Sequence, residues 1–97
     1  MSSGAHRKLC TALLRHAPYA VIDAARERPW ASITFTGARH WLTLSVPAHL
    51  ADTVARDLPE AQLPLAGHIV ADLVILRKRP QGLSTALEIE ALTVEVC

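Results

Sequence analysis

From Ala31 to Val46, apolar and polar residues alternate on either side of Gly37-Ala38, and a period of two is the signature of half-buried strands. With glycine at the first central position, the pattern predicts a β-hairpin closed by a two-residue type II′ turn. That turn sets Ile33 opposite Leu42, Ala31 opposite Leu44 and Phe35 opposite His40 on one face. The other face then carries Trp30, Ser32 and Thr34 opposite Ser45, Thr43 and Trp41.

A different period precedes the hairpin. His6, Leu9, Cys10, Leu13, Leu14 and Ala17 recur three and four apart, which predicts a helix from about Ser3 to His16, stopped by Pro18. Residues 19–30 carry no consistent period: Tyr19 to Ile22 suits a short strand, and Arg26 to Pro29 reads as an exposed connection. Pro47 can open a second helix, in which Leu50, Val54 and Leu58 fall four apart before Pro59 ends it. His68 to Lys78 reads as a strand, Pro80-Gln81-Gly82 as a loop and Thr85 to Val96 as the last strand. Within that strand Leu87, Ile89 and Ala91 share one parity while Leu92, Val94 and Val96 share the other, so a β-bulge near Ala91-Leu92 is expected.

The order helix, strand, strand therefore occurs twice in 97 residues, a length that accommodates one domain spanning 1–97. The expected class is α+β: two αββ units forming a four-stranded sheet with both helices on one face, because each helix has one apolar stripe to bury. This is a circularly permuted ferredoxin-like sandwich, with the second and fourth strands central, parallel and joined by a right-handed crossover.

Composition narrows the chemistry. A net charge of +1 and a pI near 7.9, with both signs spread along the chain, argue against nucleic acid or an anionic membrane as partner. The apolar stretch Leu9 to Leu14 is too short for a signal peptide, and no run approaches the ~20 residues of a membrane span. Cys10 and Cys97, far apart in sequence, read as reduced thiols of a cytoplasmic protein, and neither sits in a nucleophile context. His40 reads as a peripheral core residue. His68 and Asp72 lie four apart on a strand, about 13 Å, too far to share an ion. His6, His16 and His49 sit on helices without a partner visible in sequence, so no metal, cofactor or catalytic residue is assigned.

What remains is the sheet face that the helices leave open. Its expected members are Trp30, Trp41 and Thr43 from the first hairpin and Val70, Asp72, Val74, Glu88 and Glu90 from the second, with Ile69, Leu73 and Ile75 turned inward. Asp72 near Glu90, with Glu88, forms a like-charged cluster that invites a cation, a basic partner or a carboxyl that keeps its proton. Outward indoles mark partner and ligand surfaces. Arg28, Arg39 and Arg77 to Arg79 are expected towards strand ends, leaving acids at the centre, which disfavours phosphate and suits a small organic cation. The expected function is a non-enzymatic oligomerising or small-ligand-binding module, most simply a homodimer packed sheet on sheet. The alternative is a small enzyme using Asp72, Glu88 or Glu90 as general base in a pocket formed at a dimer interface.

Overall fold

The computed structural model describes residues 4–96. Helix α1 (Gly4–His16) is followed by β1 (Val21–Ala31) and β2 (Thr36–Pro47), then α2 (Ala51–Asp57), β3 (His68–Gln81) and β4 (Ser84–Glu95). One-turn 3-10 segments at Ala48–Leu50 and Leu58–Glu60 flank α2. Ser3 and Cys97 lie outside the described residues. No helix among those described is long and apolar enough to cross a membrane.

The four strands form one sheet in the order β1-β2-β4-β3. The fold is α+β, with a helix layer on an antiparallel sheet. The second and fourth strands are central as expected, but β2 and β4 run antiparallel, which corrects the expected parallel pair and its crossover. Residues 48–67, with α2 among them, return the chain to the far edge of the sheet, so β3 enters at the edge and β4 turns back beside β2.

The helix-covered face is built by alternation. Ala38, His40, Leu42, Leu44 and Val46 of β2 are buried, as are Thr85, Leu87, Ile89, Ala91 and Thr93 of β4, each set at one parity throughout. Leu9, Ala12 and Leu13 of α1 and Ala51 and Val54 of α2, with Leu58 just beyond it, close over them. Burying Leu9, Leu13, Leu44, Leu58 and Leu87 fully is worth about 2 kcal/mol each, and this aliphatic core holds the helices to the sheet.

Three expectations about register are corrected. The first hairpin turns at residues 32–35, with Ala31 opposite Thr36. Ser32 N–H donates to the Phe35 carbonyl at 2.7 Å, and Phe35 N–H to Ser32 Oγ at 3.0 Å. Gly37 lies inside β2, paired with Trp30 and Val94, and is glycine because a Cβ there would collide with the Thr93 carbonyl oxygen and crowd the Trp30 ring at 3.0 Å. Ile33 and Phe35 thus stand exposed at the tip, and residues 21–31 are strand, Pro29 included, since an edge strand tolerates a missing donor. The type II′ signal belongs to the second hairpin, where Gly82 takes φ +68° in a two-residue loop between paired Gln81 and Ser84.

The bulge expected in β4 lies instead in its neighbour. β4 is regular, and β3 carries irregularities between Val70 and Asp72 and between Ile75 and Arg77. Ala71 as an extra residue turns Val70 onto the core and Ile69 outward, reversing their expected sides. Leu76 as the second extra residue turns Arg77 and Arg79 onto the open face and Lys78 to the helix side, where it meets Asp52 at 3.0 Å.

Candidate functional site

On the open face the pairing lines up cross-strand rows. One reads Arg26, Trp41, Glu90, Val74; the next Arg28, Arg39, Leu92, Asp72; the one beyond, Trp30, Gly37, Val94, Ile69. Trp41 and Glu90 are therefore direct neighbours, and Trp41 Nε1–H donates to Glu90 Oε1 at 3.0 Å. Arg39 reaches the same oxygen at 3.4 Å. The Arg26 guanidinium lies 4.4 Å from the centroid of the Trp41 ring, a cation–π contact worth about 0.5–1 kcal/mol at such a site.

Thr43 lies opposite Glu88, and Glu88 is flanked by Arg79 at 3.1 Å and Arg77 at 3.7 Å. Glu88 Oε2 is shielded from solvent without a hydrogen bond of good geometry, so its compensation is the charge of those two guanidinium groups. Asp72 is exposed opposite Leu92 on the edge strand. Trp30 packs across Gly37 with its Nε1 buried and unpartnered.

The six residues selected from sequence do not form one cluster. Trp41, Thr43, Glu88 and Glu90 adjoin in two rows; Asp72 and Trp30 stand in separate rows at opposite edges. The expected segregation of arginines to strand ends is corrected: Arg26, Arg39 and Arg77 lie among the acids, brought there by the β1 register and the Leu76 bulge. This face is concave in two places, a recess of about 450 Å³ beside Trp41, Thr43, Leu76 and Glu88 and one of about 470 Å³ among Arg28, Trp30, Arg39 and Trp41.

The covered face holds a second polar group, which the sequence did not reveal. His40 of β2 is fully buried, and Glu27 of β1 lies directly opposite it rather than the expected Phe35. From the first turns of α1, His6 brings its Nδ1 to 2.9 Å from His40 Nδ1, with the two rings nearly parallel. On the far side, His40 Nε2 is 2.8 Å from Thr93 Oγ1, which donates its own proton to the Ala38 carbonyl at 3.3 Å. That hydroxyl has one proton, and spending it on Ala38 leaves its oxygen to accept from His40 Nε2–H. His40 therefore turns a bare Nδ1 towards His6.

Burial holds the His40 imidazole neutral, lowering its pKa from 6.5 to about 4; His6 and His68 add to the effect and Glu27 opposes it. Cys10, one turn after His6, has its thiol pKa raised by burial against an opposing backbone hydrogen bond, with Glu27 adding to the rise. Among the described residues, His6, Glu27 and His40 are the one group of three ligating side chains whose donor atoms all lie within 4.8 Å of one another. Residue spacing could not reveal it, because 34 positions separate the histidines and nothing in residues 21–31 shows which face Glu27 takes.

No protein-family model, no curated protein and no solved structure matches this chain.

Proposed function

We propose that the protein is a non-enzymatic module that forms a homodimer through the open face of its sheet. The observation that carries this reading is the row Arg28, Arg39, Leu92, Asp72, which ends in an unpaired cation on one edge strand and an unpaired anion on the other. Neither Arg28 nor Asp72 has an ion-pair partner among the described residues. A two-fold axis parallel to the strands lays β1 of one copy over β3 of the second. Arg28 then meets Asp72 of the second copy twice, Trp41 covers Glu90, and Trp30 covers Ile69, which is 51% exposed.

Size favours the same occupant. The molecule measures 45 × 21 × 19 Å, so its broad face offers roughly 900 Å², close to the ~800 Å² that each partner of a standard interface buries. Two such faces pack within about 30° of aligned. In this reading the two helix-hairpin units are an internal repeat within an α+β sandwich, and the protein works in the cytoplasm.

Charge exchange tests it. Sedimentation of the wild type should give a dimer, which Asp72→Arg and Arg28→Asp each weaken at least about tenfold and the double exchange restores. Trp41→Glu should give monomer. A wild type that sediments as a monomer, or a double exchange no better than either single change, overturns the reading.

The recess beside Trp41 and Glu88 supports a second reading, a small-ligand site. Arg26 already occupies the face of Trp41, and Arg39, Arg77 and Arg79 engage the acids, so an organic cation has to displace the protein's own guanidinium groups. A carboxylate acting as general base there has to break the same pairs. Quenching of tryptophan emission by a quaternary ammonium probe, abolished in Trp41→Leu, would favour this second reading.

A further inference from the structure

We propose that His6, Glu27 and His40 form a binding site for a divalent first-row transition-metal ion, held between the start of α1 and the β1–β2 edge of the sheet. The inference is independent of the open face, since it concerns side chains on the helix-covered side.

The donor set is two imidazoles and one carboxylate, the borderline nitrogen and oxygen mixture that zinc, iron and their neighbours accept and that calcium and magnesium do not favour. The donors come from three separate elements and converge within 4.8 Å. The 2.9 Å between the two Nδ1 atoms is close to the separation of cis nitrogen ligands each about 2.1 Å from a common ion. In the metal-free protein that gap is bridged by an N–H···N hydrogen bond, with His6 as donor and His40 as acceptor. The ring centres lie 5.2 Å apart with both Nδ1 atoms on the line between them, so the half-buried His6 ring must swing aside for an ion to take the place of the bridging proton.

The polar chain behind His40 separates this site from a chance meeting of side chains. Its Nε2–H is engaged by Thr93 Oγ1, and Thr93 in turn by the Ala38 carbonyl, with both His40 and Thr93 fully buried. Metal-binding histidines are oriented in this way: the ring nitrogen remote from the ion donates to a fixed acceptor, which sets the tautomer and aims the lone pair. An aliphatic residue would fill position 40 beside Leu42 and Ala91 at no polar cost, so the buried imidazole calls for a role that packing does not supply.

Access is also present. The next inward-facing pair along the strands, Pro29 and Ala38, lines a cleft of about 460 Å³ together with Ala5, the neighbour of His6. His6 and Glu27 are themselves only part-buried, which leaves the site open to solvent on their side. A bound ion would also clamp α1 to the sheet, so occupancy should raise thermal stability.

The test uses untagged, chelator-stripped full-length chain titrated with Co²⁺ and, in competition, Zn²⁺. One equivalent should bind, with a rise in melting temperature. His6→Ala and Glu27→Gln should each weaken binding at least about tenfold. Thr93→Val should weaken it while preserving the stoichiometry, the mark of a positioning residue. His16→Ala, at the exposed end of α1, should bind as the wild type does, and so should Cys10→Ser, since no thiolate is among the ligands. In the wild type, imidazole ¹⁵N resonances of His6 and His40 should move on adding Zn²⁺ while those of His16 and His49 stay in place. This last measurement holds even if a variant fails to fold. Absence of saturable binding, affinity indifferent to both His6→Ala and Glu27→Gln, or resonance shifts confined to the exposed histidines overturns the proposal.

Discussion

His40 and Trp41 are neighbours on β2, yet each anchors a polar network on a different side of the same sheet. On the helix side, His40 is sealed from solvent, with Thr93 Oγ1 at 2.8 Å and His6 Nδ1 at 2.9 Å. On the open side, Trp41 shares Glu90 with Arg39 and lies under Arg26, in a network that water can enter and replace. A buried polar group must find its partner or cost several kcal/mol, whereas a surface ion pair exchanges one set of good partners for another. The same strand thus carries one network on which folding depends and one that is free to be remodelled by a partner.

Substitutions break this contrast unequally. His40→Ala should be the most damaging, removing two hydrogen bonds, opening a cavity and leaving the buried Thr93 hydroxyl oxygen without its donor; a loss of about 3–4 kcal/mol in urea denaturation is expected. Acid should act on the same residue. The folded-state pKa of about 4 lies below the unfolded value of 6.5, so between them the unfolded chain binds the extra proton. Stability from this source is complete above pH 6.5 and is lost as the pH falls towards 4, by roughly 3 kcal/mol in metal-free buffer. His6 on α1, Glu27 on β1 and His68 on β3 are the titratable groups that act on His40. The pH slope should be largely absent in His40→Gln.

Gly37→Ala sharpens the comparison from between the two networks. Its methyl group would meet the Thr93 carbonyl, a backbone atom that cannot swing aside, so β2 and β4 must separate locally at a cost of about 2 kcal/mol by thermal denaturation. Glu90→Gln on the open face should be the mildest, below about 1 kcal/mol and smaller still in high salt, because its partners remain solvated. If Glu90→Gln proved as destabilising as His40→Ala, the distinction between the faces would fail.

Parts of both networks were legible in the sequence. Trp41, Thr43, Glu88 and Glu90 could be placed outward, and Leu42, Leu44, Leu87 and Ile89 inward, because alternation along a single strand is a local property. The arginines could not be placed, since an extra residue at Leu76 changes the side on which Arg77 and Arg79 emerge. At Gly37-Ala38 the alternation points to a turn, but glycine there answers the close approach of another strand's carbonyl. The histidine pair was invisible because His6 follows a helical period and His40 a strand period, and neither records the other.

The sequence by itself determined α1, α2, β2, β3 and β4, the order in which they follow, and which side of β2 and of β4 up to Ala91 faces the helices, because those follow from the periods of hydrophobic residues along contiguous chain. It did not determine that residues 21–31 form β1. Only the tertiary structure decided the antiparallel pairing of β2 with β4, the positions of the bulges, and the convergence of His6, Glu27 and His40. These depend on contacts between distant segments, where backbone hydrogen bonding selects a register and every side chain on the strand follows it.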